Sequence, residues 1–250
     1  MAAVTAPGVI NVDWPAPESI RAHVTTRLGG VSAAPWDSLN LGMHVGDDPR
    51  HVAENRRRIA AALGLPAEPV WLDQVHGTRV VAAETASQPR KADASIACRP
   101  GVVCAVMTAD CLPVLFCADD GSEVAAAHAG WRGLAAGVLE ATVGAMRMEN
   151  DRIMAWLGPA IGPTAFEVGD EVREVFLAAH GEAAEAFSRN RPGHWLTDIY
   201  RLARIRLAGA GVTRIFGGEH CTYTEGDLFY SYRRDGVTGR MASLIWMQRG

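Results

Sequence analysis

The sequence predicts an α+β fold: a single compact domain over residues 1–250 in which mixed β-sheets are flanked by helices. Three observations carry that expectation. The β-type runs between residues 102 and 127 follow one another without an intervening helical segment, unlike the strand–helix alternation of a doubly wound sheet. Several of these runs are apolar throughout, the pattern of strands covered on both faces. No repeat, low-complexity tract or long linker divides the chain, and the polar stretch Glu84–Lys91 is too short to separate domains.

Residues 48–64 carry a helix signature. Asp48 is placed to cap, Pro49 suits the first helical position, Val52, Ile59 and Leu63 share a face, and Gly64 ends the run. Apolar spacing of three to four predicts further helices over 133–147, 170–180 and 197–208. Strands are predicted at 79–83, 102–107, 113–118, 124–127, 153–157, 214–216 and 243–247. The segment from Phe229 to Arg240 mixes aromatics, arginines and glycines. Read locally it is a β-hairpin; read chemically, it can stack a ring and hold an oxyanion.

Composition excludes several function classes. The chain is 48% hydrophobic and 21% charged, ordinary globular usage, and long enough for one substantial core. Net charge is −4, and its densest basic cluster, Arg56-Arg57-Arg58, fans around a helix instead of forming the contiguous positive stripe that nucleic acid requires. The most apolar segment, Val102–Ala118, is interrupted by Thr108, Asp110 and Pro113, which argues against a membrane span. The N-terminus lacks the marks of a secretory signal, so a cytoplasmic protein is expected. Five cysteines, an odd number without a Cys-x-x-Cys pair, speak against a disulfide framework, a zinc ribbon and a thioredoxin-like motif. The dinucleotide glycine fingerprint and the P-loop are also absent.

Three segments put possible metal ligands at predicted strand ends: Trp71-Leu-Asp-Gln-Val-His76-Gly, Thr108-Ala-Asp-Cys111-Leu-Pro and Ala125-Ala-Ala-His128-Ala-Gly-Trp-Arg-Gly133. Imidazole and thiolate suit zinc, and three protein ligands leave a fourth position exchangeable. The same residues permit a second chemistry without metal, with Cys111 as thiolate nucleophile, His76 or His128 as its base, and Asp110 or Asp73 orienting the imidazole. Gly130-Trp-Arg132-Gly133 leads from strand to helix, where backbone N–H groups and Arg132 can meet an anion. Cys98, Cys104 and Cys117 read as core, while His220-Cys221 is a candidate fourth ligand that would close the site.

At these residues the chain resembles the YfiH family, also called the polyphenol oxidase or laccase-domain family, whose members are described as purine nucleoside phosphorylases. The likeness runs through Thr25-Thr-Arg-Leu-Gly-Gly-Val-Ser, Leu39-Asn-Leu-Gly, Val45-Gly-Asp-Asp-Pro, Asn55-Arg56, Gln74-Val-His76-Gly, Ala92-Asp93-Ala, TADC at 108–111, HAGWRG at 128–133, GPAIG at 158–162 and FYSYRRDG at 229–236. Ser95 and Ala97 depart from the pattern after Asp93. The resemblance implies zinc held by His76, Cys111 and His128, with copper also able to occupy the site. It also implies a fold related to cysteine deamidases of the cytotoxic necrotising factor type.

The activities it implies are phosphorolysis of adenosine, inosine and S-methyl-5'-thioadenosine, together with adenosine deamination. The expected partners are a purine nucleoside and phosphate, with no nucleic acid or membrane, in a monomer or weak homodimer. For deamination, Asp110 or Asp93 is nominated to shuttle protons. For phosphorolysis, Arg56 is nominated as anion ligand with Asn40 beside it, and Gln74, Arg132 and Arg234 complete the substrate-binding set. Alternative readings are a Cys-His amidase editing misbuilt peptidoglycan precursors, single-site copper oxidation of phenols, and a non-catalytic metal-binding module. Eight histidines without a His-x-His pair are too few for a multicopper relay.

Overall fold

Strands that are apolar at every position need cover on both faces, and the chain supplies it with four layers. This computed structural model describes residues 4–5, 8–85 and 90–249; residues 86–89 of the predicted polar stretch lie outside them. A five-stranded antiparallel sheet runs in the order Val4–Thr5, Val9–Asn11, Ile20–Thr25, Met241–Met247 and Val103–Thr108. A six-stranded mixed sheet runs Arg214–Gly217, Ile153–Leu157, Leu112–Ala118, Val124–Ala129, Ala94–Ala97 and Val80–Ala82, with only its two edge pairs parallel.

Side-chain alternation along Val124–Ala129 links three layers. Val124 and Ala126 point between the sheets to meet Leu115, Cys104, Val106 and Ile245. Ala125 and Ala127 point the other way, onto a helical layer that includes Leu139, Val143, Phe176, Leu202 and Leu207. The far face of the five-stranded sheet is covered by helix Pro49–Leu63, whose Ile59 packs with Trp71, Ala105, Leu244 and Trp246. The result is an α+β domain with mixed sheets and flanking helices, as the consecutive strand runs predicted.

All seven predicted strands form, within two residues of the expected ends. The first helix occupies Pro49–Leu63 with Asp48 accepting from the Arg50 N–H and Gly64 left-handed at its end. Asp170–Ala179 and Ile199–Gly209 fill the third and fourth predicted helices. The second departs from expectation: 133–147 is two helices, Trp131–Ala136 and Val138–Ala145, because Gly137 adopts φ 99° and turns its N–H back onto the carbonyls of Gly133 and Leu134. Residues 229–240 are not a hairpin. Ser231 caps a short helix, Tyr232–Asp235, while Phe229 and Tyr230 are buried. The hairpin Phe187–Arg191/His194–Thr197 and the strands Ile20–Thr25 and Ala94–Ala97 were not anticipated.

One buried amide ties the first helix to the segment between 30 and 42. The Asn55 Nδ2 donates to Ser32 Oγ at 2.9 Å, Ser38 O at 3.1 Å and Asn40 O at 2.9 Å, and its Oδ1 accepts from the Val31 N–H at 2.9 Å. Asn55→Ala leaves these groups unpaired in a buried site. Urea denaturation is expected to show a loss of about 2–4 kcal/mol; a loss below roughly 1 kcal/mol would contradict this role.

Candidate metal centre

Three chain segments meet where the two sheets part. Strand Val103–Thr108 lies in one sheet and Leu112–Ala118 in the other, so residues 109–111 cross between them carrying Cys111. The crossing needs a left-handed backbone at Asp110, φ 89°, and its carboxylate secures the turn. Oδ1 accepts from Thr222 Oγ1 at 2.7 Å and Oδ2 from the Arg233 N–H at 2.6 Å. His128 continues the inward face of Val124 and Ala126 to the end of its strand and is buried.

His76 also has positive φ, 60°, in the loop after Leu72–Asp73. The buried carboxylate of Asp93 holds this loop, accepting from the N–H groups of Val75 at 3.2 Å, His76 at 2.8 Å and Gly77 at 2.7 Å. Asp93 Oδ1 also lies 2.9 Å from His128 Nδ1. A carboxylate only accepts, so Nδ1 carries the proton and Nε2 of a neutral His128 is the donor atom left for a metal.

The donor atoms of His76, Cys111 and His128 all lie within 4.8 Å of one another, the one such group of three found among the described residues. Cys111 Sγ is 3.7 Å from His76 Nε2, and the two imidazoles meet edge to face with centroids 4.7 Å apart. Tetrahedral zinc places N and S donors about 3.4–3.6 Å apart, so the set fits such an ion with small adjustments. Gly130 makes room for it: an added Cβ would stand 2.7 Å from His76 Cδ2 and 3.0 Å from Cys111 Sγ.

Electrostatics agree with a ligand set. Burial pushes the Cys111 thiol up, but the charge and hydrogen bond of His128, with those of His76, outweigh it and bring the thiol down to about 6. Burial would lower His128, yet the Cys111 thiolate and the Asp93 hydrogen bond raise it to about 9. Without metal the pair is a thiolate beside an imidazolium at neutral pH.

A cavity of about 420 Å³ opens over the three donors, with His44, Gln74, Tyr232 and Arg240 in its wall. Of the other residues singled out in the sequence, Asp73 and Gln74 line it; Asp73 is exposed, and the Gln74 amide is bonded twice to the Met107 backbone, at 2.8 Å each way. The others stand elsewhere or are occupied. Asp93 and Asp110, nominated as proton shuttles, are buried with both oxygens in hydrogen bonds, and it is Asp93, instead of Asp110 or Asp73, that orients an imidazole.

Arg56 is spent on Leu41 O, through Nε at 3.0 Å and Nη2 at 2.8 Å, and on the Trp71 ring at 4.0 Å. Asn40 is fully buried among Gly42, Asp47 and Arg240. Arg234 clamps the carbonyls of Thr222, Tyr223 and Phe229 and pairs with Asp235, and Arg132 is exposed over the Trp131 ring. Cys221 accepts from the Gly162 N–H and His220 Nδ1 is bonded to Glu225, so neither joins the three donors. All five cysteines are free. His44, Tyr232 and Arg240 line the cavity without having been named as site residues: Tyr232 and Arg240 fall in the 229–240 stretch read as able to stack a ring and hold an oxyanion, whereas the segment around His44 carries no local signal of chemistry.

A family model described as multi-copper polyphenol oxidoreductase laccase matches residues 21–248. A Pseudomonas aeruginosa protein named purine nucleoside phosphorylase is 61% identical over 240 residues, 96% of this chain and 98% of that one. The Escherichia coli protein named purine nucleoside phosphorylase YfiH is 60% identical over 242 residues, with 96% and 98% covered. Among solved structures, a Neisseria meningitidis protein superposes with TM-score 0.94 at 52% identity, over 97% of this chain and 100% of that one. YlmD from Geobacillus stearothermophilus does so with TM-score 0.94 at 33% identity over 99% of each.

Metal loading is expected to depend on pH with a definite sign. With Cys111 at about 6 and His128 at about 9, binding near pH 7–8 displaces one proton, from His128. Zinc affinity should therefore rise roughly tenfold per pH unit across that window, flatten above about 9 and steepen below about 6. Calorimetry in buffers of different ionisation enthalpy reads the proton directly; no release at pH 7.5 would overturn the assignment. Gly130→Ala should weaken zinc binding by roughly 10–100-fold by crowding the donors, while circular dichroism shows a folded protein.

Proposed function

The chain belongs to the YfiH family, and from that premise we propose that it is a metal-dependent purine nucleoside phosphorylase acting as one catalytic domain over residues 1–250. The observation that carries this is the open three-donor centre at the foot of a cavity, in a chain 61% identical to a protein named for that activity. Adenosine, inosine and S-methyl-5'-thioadenosine are the proposed nucleosides, with adenosine deamination as a second outcome at the same centre. The proposed setting is the cytoplasm, as a monomer or weak homodimer. Among the described residues, no helix is long and apolar enough to cross a membrane.

His76, Cys111 and His128 would hold the ion, zinc by preference for this N and S set, with copper as an alternative. When bound, it supplies Lewis acidity to an oxygen of substrate or water. The protein's own residues supply position. Asp93 fixes the His128 tautomer and the 75–77 loop, and Gln74 anchors that loop to the Met107 backbone. Tyr232, 61% exposed at the cavity wall, offers a ring face on which a purine can stack. Phosphorolysis joins a phosphate oxygen to the anomeric carbon as the bond to the purine nitrogen breaks, and the departing base takes up a proton.

A second reading rests on a specific observation: Asp93, His128 and Cys111 form the acid–imidazole–thiol series of a cysteine hydrolase, with His128 2.9 Å from Asp93. The proposed kinship with cysteine deamidases and the peptidoglycan-editing alternative belong to this reading.

Adenosine incubated with and without phosphate separates the outcomes. Ribose 1-phosphate and adenine are expected with phosphate, and inosine reports deamination. Chelation should abolish turnover and zinc should restore it, and His76→Ala, Cys111→Ala and His128→Ala should each lower it by about 100-fold or more. Turnover that survives chelation but dies on alkylation of Cys111 would establish the thiol reading instead.

A further inference from the structure

Arginine is the expected holder of phosphate beside such a centre, yet Arg56, Arg132 and Arg234 are all committed or displaced. One guanidinium remains in the cavity wall. We propose that Arg240 is the anion-binding group of this centre and holds the inorganic phosphate on which the phosphorylase reading depends; the identity of the anion as a co-substrate rests on that reading, whereas the anion site does not.

Arg240 lines the same cavity as His76, Cys111 and His128. Its Nη1 donates to the carbonyls of Thr238 at 3.1 Å and Gly239 at 2.9 Å, which fixes one edge of the fork. Among the described residues no partner is found for Nε or Nη2, and no carboxylate pairs with this guanidinium. Arg27, Arg152, Arg191 and Arg234 each pair with an acid, whereas Arg240, the arginine that lines the cavity over the three donors, pairs with none. A cation that has lost water on burial and gained no carboxylate is suited to a doubly charged ligand.

The seat beneath Arg240 is built, and it gives a role to residues that do not reach the cavity themselves. The Arg240 N–H donates to Asn40 Oδ1 at 2.9 Å, and the Arg240 carbonyl accepts from the Leu41 N–H at 3.2 Å. A Cβ on Gly42 would lie 2.9 Å from Arg240 Cγ and 3.3 Å from its Cβ, so only glycine lets the arginine stem lie flat on this loop. Arg56, bonded to Leu41 O, and Asn55, bonded to Asn40 O, hold the loop from the first helix. Asn40 and Arg56 are thus positioning residues for Arg240.

The surrounding charges are consistent with this use. Burial lowers the Arg240 pKa, and the negative charges of Cys111 and Asp110 raise it, which places the guanidinium within electrostatic reach of the centre. His44, also in the wall, is lowered first by burial and then by Arg240, so it is a neutral hydrogen-bonding group at neutral pH. The wall's own carboxylate, Asp73, is exposed.

The test is titration of the zinc-loaded protein with inorganic phosphate by calorimetry, alongside metal content, melting temperature and steady-state kinetics. Arg240→Met should weaken phosphate binding by about 10–100-fold and raise the phosphate KM in parallel, with nucleoside KM and zinc content unchanged. Arg240→Lys, which keeps the charge and the stem, should lose less. Gly42→Ala should weaken phosphate by displacing the stem. Wild-type protein that binds no phosphate, or Arg240→Met or Arg240→Lys that is folded and binds it as tightly as wild type, overturns the proposal. If Arg240→Met does not fold, Arg240→Lys and Gly42→Ala decide, and undiminished binding in both overturns it. Phosphate binding that depends on Arg240 in a protein forming no ribose 1-phosphate would sink the phosphorylase reading and leave the anion site standing.

Discussion

The Asp93 carboxylate is the contact on which the centre depends. It is fully buried, and an uncompensated buried charge is expensive, so it is stable only because four donors converge on it: three backbone N–H groups of the 75–77 loop and the His128 ring. Burial pushes its pKa up, but His128 and the backbone donors outweigh burial and hold it below the usual carboxylate value of 3.8. Because the folded pKa is the lower one, this contribution to stability is present above the unfolded pKa and is lost as pH falls through the folded one. The backbone of Asp93 joins in, with its carbonyl accepting from the His128 N–H at 2.7 Å and its N–H donating to Arg79 O at 3.0 Å. One residue thereby sets the His76 loop and the His128 tautomer, and its backbone ties the start of strand Ala94–Ala97 to its neighbours on both sides.

Two sheets placed face to face explain why the donors meet at a rim. Alternation sends Val124, Ala126 and His128 toward the other sheet, and small alanines keep that interior close-packed until the strand ends. Beyond the last alanine, the imidazole occupies the space where the sheets diverge. Cys111 arrives there because the chain changes sheets between Thr108 and Leu112, and a crossing of three residues leaves no freedom to put the thiol elsewhere. The strained turn at Asp110 and the small residue at Gly130 are local conditions for that meeting.

Much of this fold was legible because periodicity is a local property. Apolar runs such as Ile153–Leu157 and the capped segment from Asp48 to Gly64 carry their own start and stop signals. The break at Gly137 was missed because the apolar spacing continues across it, while left-handed geometry leaves no periodic trace. Strand Ala94–Ala97, whose Ser95 is buried, has too little β-branched or aromatic content to declare itself. Within the site, His76, Cys111 and His128 stood out by donor chemistry and by family likeness, not by spacing. Arg240 could not be separated from other arginines, since what distinguishes it is its place in the wall over the three donors with no carboxylate partner, a property of the assembled fold.

The choice between metal ligand and nucleophile turns on His76. A thiolate with Asp93 and His128 already has an acid–imidazole–thiol series, and nothing in that chemistry requires a second imidazole. Yet His76 is held with Nε2 3.7 Å from the sulfur, on a backbone at φ 60° that non-glycine residues seldom adopt. Conformations of this kind persist where surrounding contacts over-determine them, and here the Asp93 carboxylate does so through the N–H of His76 itself. Gly130 leaves the Cβ space beside both His76 and Cys111 empty, which accommodates the two donors together. A third donor maintained against backbone strain is what three-ligand coordination needs and what a cysteine hydrolase does not, so the arrangement favours the metal.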